Sequence, residues 1–126
     1  MVIVETISIQ QPWAWLIVSG QGGKDVENRS RWHYRHRGRV RIHASKAVDN
    51  DTSRFPVQRA YIASLGLSIP LNLPTGCLVG EATITGVVTE SDSPWFEGAT
   101  GITLSDPVAY ADPIPCRGML GIFQTA

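Results

Sequence analysis

A lysine, a carboxylate and an arginine stand at offsets 0, 3 and 5 in the segment Gly22-Gly-Lys24-Asp-Val-Glu27-Asn-Arg29. A lysine beside a carboxylate can move protons as acid and base, and an arginine next to them can hold a phosphate through two parallel hydrogen bonds. If Glu27 and Arg29 alternate along an extended segment, both project from one face, and Lys24 can reach back from the glycine loop. That loop, Gly20-Gln-Gly-Gly23, is expected to present Lys24 outside the hydrophobic core, facing Glu27 across a partly enclosed cleft. The same spacing also fits an ordinary surface ion pair, worth at most about 1 kcal/mol.

The surroundings of the motif are strongly basic, although the whole chain carries a formal net charge of zero. Between Lys24 and Lys46 lie Arg29, Arg31, Arg35, Arg37, Arg39 and Arg41, against Asp25 and Glu27 alone, so this span carries +6 and the remainder −6. All three histidines, His33, His36 and His43, fall in the same span. Six arginines interleaved with Trp32 and Tyr34 suit phosphate contact combined with stacking on bases. Nucleic acid is the expected partner.

These residues need elements to position them. Thr6 to Ile9 reads as a strand, and Pro12 opens a short helix through Val18 that stops at Ser19-Gly20. From Arg37 to Ala44 the pattern alternates, with Arg37, Arg39, Arg41 and His43 on one face and Gly38, Val40, Ile42 and Ala44 on the core face. Asp51 or Thr52 is expected to cap a helix whose inward stripe is Val57, Ala60, Tyr61, Ser64 and Leu65, ending at Gly66. Cys77 to Glu90 reads as a long strand, with Gly80 and Gly86 allowing a bend. Ile102–Leu104, Val108–Tyr110 and Met119–Phe123 read as further short strands. The expected class is α+β, a small mixed β-barrel with two or so flanking helices.

The motif, taken with its neighbours, resembles the ASCH (activating signal cointegrator homology) family of the PUA-like superfamily. Gly22, Lys24, Glu27 and Arg29 match its G-x-K-x-x-E-x-R signature. The likeness extends to Ile7-Ser-Ile-Gln-Gln11-Pro-Trp-Ala14, to Ile42-His-Ala-Ser45 and to Gly118-Met-Leu-Gly-Ile-Phe123, covering nearly the whole chain. The resemblance implies a PUA-like barrel with a cleft beside the motif and recognition of RNA or a modified nucleoside. One branch removes acetyl from N4-acetylcytidine with lysine, threonine and glutamate; its lysine maps onto Lys24, but its threonine position holds Glu27 here. Another branch cleaves RNA. The enzymatic alternative is therefore a metal-independent hydrolase of RNA or acylated cytidine with Lys24 and Glu27 as catalytic groups.

Around these lie further candidate contacts for nucleic acid: Gln11, Ser45, Lys46 and Trp95, together with Arg37, Arg39 and Arg41. Gln11 can read a base edge or satisfy backbone groups in its own turn, and Trp95 is expected to stack on a base. Trp13 and Trp15 are expected in the core. No metal and no cofactor is expected, because arginines around His33, His36 and His43 repel cations and no carboxylate or thiolate falls at ligand spacing. No Walker loop or nucleophile elbow occurs, so the sequence gives no motif support for nucleotide hydrolysis or serine-hydrolase chemistry. Cys77 and Cys116 are expected as free thiols. The 126 residues, 43% of them hydrophobic, are read as one domain spanning 1–126, which excludes intrinsic disorder. The longest apolar run, Trp13 to Val18, is too short to cross a membrane, and a cytoplasmic location is expected.

Overall fold

The computed structural model describes residues 3–126. In chain order these form β1 (Val4–Gln11), α1 (Trp13–Ser19), a single 3-10 turn (Gln21–Gly23), β2 (Val26–Arg29), β3 (Gly38–Val48), α2 (Pro56–Ser64), β4 (Cys77–Val88), β5 (Thr100–Pro115) and β6 (Ile122–Thr125). The strands make one mixed sheet in the order β2-β5-β4-β3-β1-β6. β1 and β3 run parallel, and every other neighbouring pair is antiparallel. Parallel neighbours need a crossover. That crossover is α1, the 3-10 turn and β2, so the segment from Gly22 to Arg29 is carried to the edge of the sheet, where β2 pairs with β5.

The expected barrel does not close. β2 and β6 are the two edges, each four residues long, and they pair with β5 and β1 rather than with each other. The architecture is α+β, with two helices as expected.

The core lies between α1 and one face of the sheet. Ile7 and Ile9 of β1, Val40, Ile42 and Ala44 of β3, Ala82 and Ile84 of β4, and Ile102 of β5 are buried against Leu16 and Ile17 of α1. The alternation expected for β3 therefore holds on its inward side. His43, expected among the exposed basic residues, is 1% exposed. It is covered because the chain from Cys116 to Phe123 closes over that end of β3, with the Phe123 ring 5.9 Å from the imidazole.

Two other expectations change. Val108–Tyr110 does not stand apart from Ile102–Leu104; both belong to the 16-residue β5, which absorbs Asp106 at φ 50° and three register irregularities against β4. Pro107 and Pro113 lack amide donors, and both lie beyond Thr103, where the far edge of β5 is no longer paired with β2. The α2 stripe also differs. Val57 is 57% exposed, whereas Gln58 and Ile62 face inward.

The start of α2 explains this rotation. Asp51 spends its carboxylate on Ser53 in a preceding turn. The amides of Val57 and Gln58 instead donate to the Glu97 carboxylate at 3.0 and 2.9 Å. Glu97 is held in turn, because its amide donates to Asn28 Oδ1 of β2 at 2.8 Å. A distant carboxylate thus caps the helix and turns Gln58 towards the crossover. Replacing it should cost what a lost cap costs: Glu97→Ala is expected to lower unfolding stability by about 1–2 kcal/mol in urea titration, with Glu97→Gln retaining part of it.

Candidate functional site

Lys24 is almost completely buried, at 4% exposure, which the sequence reading did not expect. Its ammonium donates to the Val26 carbonyl at 2.7 Å and to Gln58 Oε1 at 2.5 Å. The rings of Trp13 and Trp95 stand 5.2 and 5.3 Å from it and supply electron-rich faces. Desolvation brings its pKa down from 10.5 to about 8, opposed by the negative charges of Glu27, Asp25 and Glu97.

The turn before Lys24 explains how the lysine enters this space. Gly22 has φ +73°, and a methyl group there would meet Trp95 and Leu67 at 2.9 Å. Its carbonyl accepts the Trp95 indole N–H at 2.8 Å. A side chain at position 22 would displace the ring that flanks the ammonium.

Glu27 and Arg29 alternate on β2, as the extended reading requires, and pair at 3.1 Å. The Arg29 guanidinium also donates to the Ser8 carbonyl at 2.8 Å and lies over Trp32 at 5.3 Å. Glu27 and Arg29 line a cleft of about 360 Å³ whose other walls include Ser8, Trp13, Ser45, Arg54, Phe55 and Gln58. Lys24 is not part of that lining. It stands behind the wall and holds Gln58, which is.

Of the other anticipated contacts, Ser45 lines the cleft, while Lys46 is exposed beside a second cavity bounded by His43 and Arg117. Gln11 is 1% exposed and serves the backbone: it donates to the Pro74 carbonyl and accepts from the Trp15 amide. Trp95 is also 1% exposed, edge-on to Tyr61, so its ring belongs to the core rather than to a stacking platform. Arg39 is engaged by Glu81, Thr83 and the Asp106 carbonyl, and Arg41 by Thr125 and the Ala126 carbonyl. Arg37 is exposed and bonds only to nearby carbonyls.

Several cleft residues carried no sequence signal. Arg54 and Phe55 precede the helix; Arg54 pairs at 3.6 Å with buried Asp49, which also pairs with Arg59 at 3.4 Å. Gln58 becomes visible only once the cap from Glu97 sets the helix rotation. Ser8 alternates with buried Ile7 and Ile9, a pattern that marks it as facing away from the core without saying what it meets.

A titration tests the burial of Lys24. Between about pH 8 and 10.5 the unfolded chain binds more protons than the native one, so the stability linked to Lys24 rises with pH. Tyr110, pushed up to about 12 by its burial and its bond to Glu81, works in the opposite direction above pH 10. Between about pH 7 and pH 9.5 the stability of the wild-type protein should therefore gain about 2 kcal/mol on that of Lys24→Met. Parallel stability curves would show that the ammonium is not desolvated.

The sequence profile of the ASCH domain matches residues 7–111. Activating signal cointegrator 1 from Homo sapiens is 37% identical over 76 residues, and that from Mus musculus 38%; each match covers 59% of this chain. The chain spans only 13% of the length of these relatives. The crystal structure of ASCH from Zymomonas mobilis superposes with a TM-score of 0.52 at 22% identity, covering 88% of this chain and 72% of that one. A point mutant of the same protein gives 0.51 at 22% identity over 88% and 74%. The fold is thus similar to that of these ASCH structures, and the chain belongs to the ASCH domain family.

Proposed function

We propose that this protein binds single-stranded RNA along the loop between β2 and β3 and in the adjoining cleft. The observation that carries this reading is the arrangement of residues 30–37. Arg31, His33, Arg35 and Arg37 are exposed, and they alternate with the partly buried Trp32, Tyr34 and His36. Trp32 and Tyr34 lie 4.7 Å apart, and His33 stacks on Tyr34 at 4.3 Å. The Tyr34 hydroxyl rests against Gly121, which lines the cleft. Aromatic side chains thus hold a row of cations beside the cleft, where guanidinium groups can meet phosphates and ring faces can meet bases. The +6 charge of the 24–46 span adds long-range attraction.

Within this reading Ser45 and Arg29 contact the nucleotide in the cleft, with Glu27 setting the orientation of Arg29. Gln11 and Trp95 act indirectly, by holding the turn and the wall. An enzyme using Lys24 and Glu27 as acid and base draws less support, because Lys24 sits behind Gln58 and Trp13 and two of its three N–H groups already donate to fixed acceptors.

Fluorescence anisotropy with a labelled single-stranded RNA tests the proposal. Three or more phosphate contacts give a slope of log affinity on log salt of about −2 or steeper. Arg31→Ala combined with Arg35→Ala should weaken binding about tenfold or more at low salt and flatten the slope by about 1.4. Arg39→Ala should matter far less, since that guanidinium is already satisfied by Glu81, Thr83 and Asp106. Binding that ignores salt, or a double variant that binds as the wild type does, would remove the electrostatic basis of the reading.

A further inference from the structure

Ser8 and His43 are direct partners in the parallel β1–β3 ladder. The Ser8 hydroxyl lies 3.0 Å from His43 Nδ1, and His43 Nε2 lies 2.7 Å from the carbonyl oxygen of Cys116. A carbonyl oxygen can only accept, so the proton of the neutral imidazole resides on Nε2. Nδ1 then presents its lone pair to the serine, and the hydroxyl donates to it. This is the arrangement of a nucleophile, a base and a group that orients the base.

The imidazole is closely packed where it borders the second cavity. Phe123 meets it edge-on, and Gly118 lies so close that an added methyl group would overlap the ring. His43 is 1% exposed, whereas Ser8 is only partly buried and lines both the cleft and the neighbouring cavity of about 690 Å³. Solvent and ligands therefore reach the base chiefly through the serine. The second cavity is walled by Met119 and Leu120, and its permanently charged side chains are Lys46 and Arg117, both cationic.

We propose that Ser8 and His43 form an acyl-transfer site that hydrolyses carboxylic esters bearing a negative charge. Ser8 Oγ attacks the ester carbonyl carbon while its proton passes to His43 Nδ1. The bond from carbonyl carbon to the leaving alcohol oxygen breaks, and that oxygen takes the proton from His43. Water then attacks the acyl-serine, giving one proton to His43; the Oγ–acyl bond breaks, Ser8 recovers the proton, and the carboxylic acid leaves. Lys46 and Arg117 attract the anionic part of the substrate, and Met119 and Leu120 cover its apolar part. No nucleophile elbow is involved: two neighbouring parallel strands bring the groups together, a juxtaposition without a local sequence motif. The site does not depend on the RNA-binding reading.

The test uses the whole chain with two probes, p-nitrophenyl acetate and the mono-p-nitrophenyl ester of succinic acid. Peptide mass spectrometry after brief incubation should find the acyl adduct on Ser8, and nitrophenol release should favour the succinyl ester. Ser8→Ala should reduce release about 100-fold or more, with its thermal melt confirming the fold. Arg117→Gln should lower the preference for the succinyl ester without abolishing the acetyl adduct. Because His43→Asn opens space beside Phe123 and can unfold the protein, adduct mapping on the wild type carries the decision. Absence of an adduct at Ser8, or turnover unchanged in folded Ser8→Ala, would overturn the proposal; RNA affinity, measured separately, is not affected by either result.

Discussion

Taking an ammonium group out of water costs several kcal/mol unless hydrogen bonds and nearby negative charge replace the lost hydration. Lys24 meets that requirement with groups from four separate segments. Val26 supplies a carbonyl from β2, Gln58 an amide oxygen from α2, Trp13 a ring from α1, and Trp95 a ring from the loop after β4, while Gly22 lets the backbone pass beneath that ring. None of these segments can shift alone without exposing the ammonium or leaving it unpaired. The lysine of the motif therefore acts first as an anchor for the crossover. Its lowered pKa is the signature of that enclosure rather than evidence that it exchanges protons with a ligand.

The cleft inherits its shape from this anchor. Gln58 has one end on Lys24 and forms part of the cleft wall; Asn28 holds the chain at Trp95 and Glu97, and Glu97 holds the start of α2. On the other side Asp49 accepts the Trp13 indole N–H at 3.0 Å and pairs with Arg54 and Arg59. Trp13 thus touches both a buried carboxylate and a buried ammonium, and each has one partner in the cleft wall, Arg54 for Asp49 and Gln58 for Lys24. Exposed cations on the β2–β3 loop need no such support, because they remain solvated and are ordered only by the rings between them.

Residues with local periodicity were legible in the sequence. The inward face of β3, the short helix after Pro12 and its stop at Gly20, and the alternation of Glu27 with Arg29 all follow from nearest-neighbour patterns. What escaped that reading depends on distant partners. Asp51 was a reasonable helix cap by type, but a carboxylate 39 residues beyond Gln58 performs that role and rotates the helix. Trp95 lies in a turn-rich loop, where type and position suggest exposure, but its bond to the Gly22 carbonyl draws the ring into the core. Barrel closure rested on strand number and glycine bends, neither of which specifies whether two four-residue edges meet. Lys24 follows the same logic: a lysine behind a glycine loop is ordinarily solvated, and only the convergence of two indoles with Gln58 makes its burial tolerable.

Register links the core to the polar chemistry on the other side of the sheet. Ile7 pairs with Ile42 and Ile9 with Ala44, and all four are buried beneath α1. A slip of one residue would turn those apolar side chains outward and expose them, at about 1.5–3 kcal/mol for each large residue. The alignment that the core enforces also sets Ser8 opposite His43, although neither residue contributes to the apolar face. Parallel pairing matters as well, since it requires the crossover that carries Lys24, Glu27 and Arg29 back across the strands. One hydrophobic constraint on β1 and β3 therefore positions two polar groupings: Arg29, reaching the Ser8 carbonyl, and His43, reaching the Ser8 hydroxyl. Ser8 is the residue at which the cleft and the neighbouring cavity meet, and its place there is set by the isoleucines on either side of it.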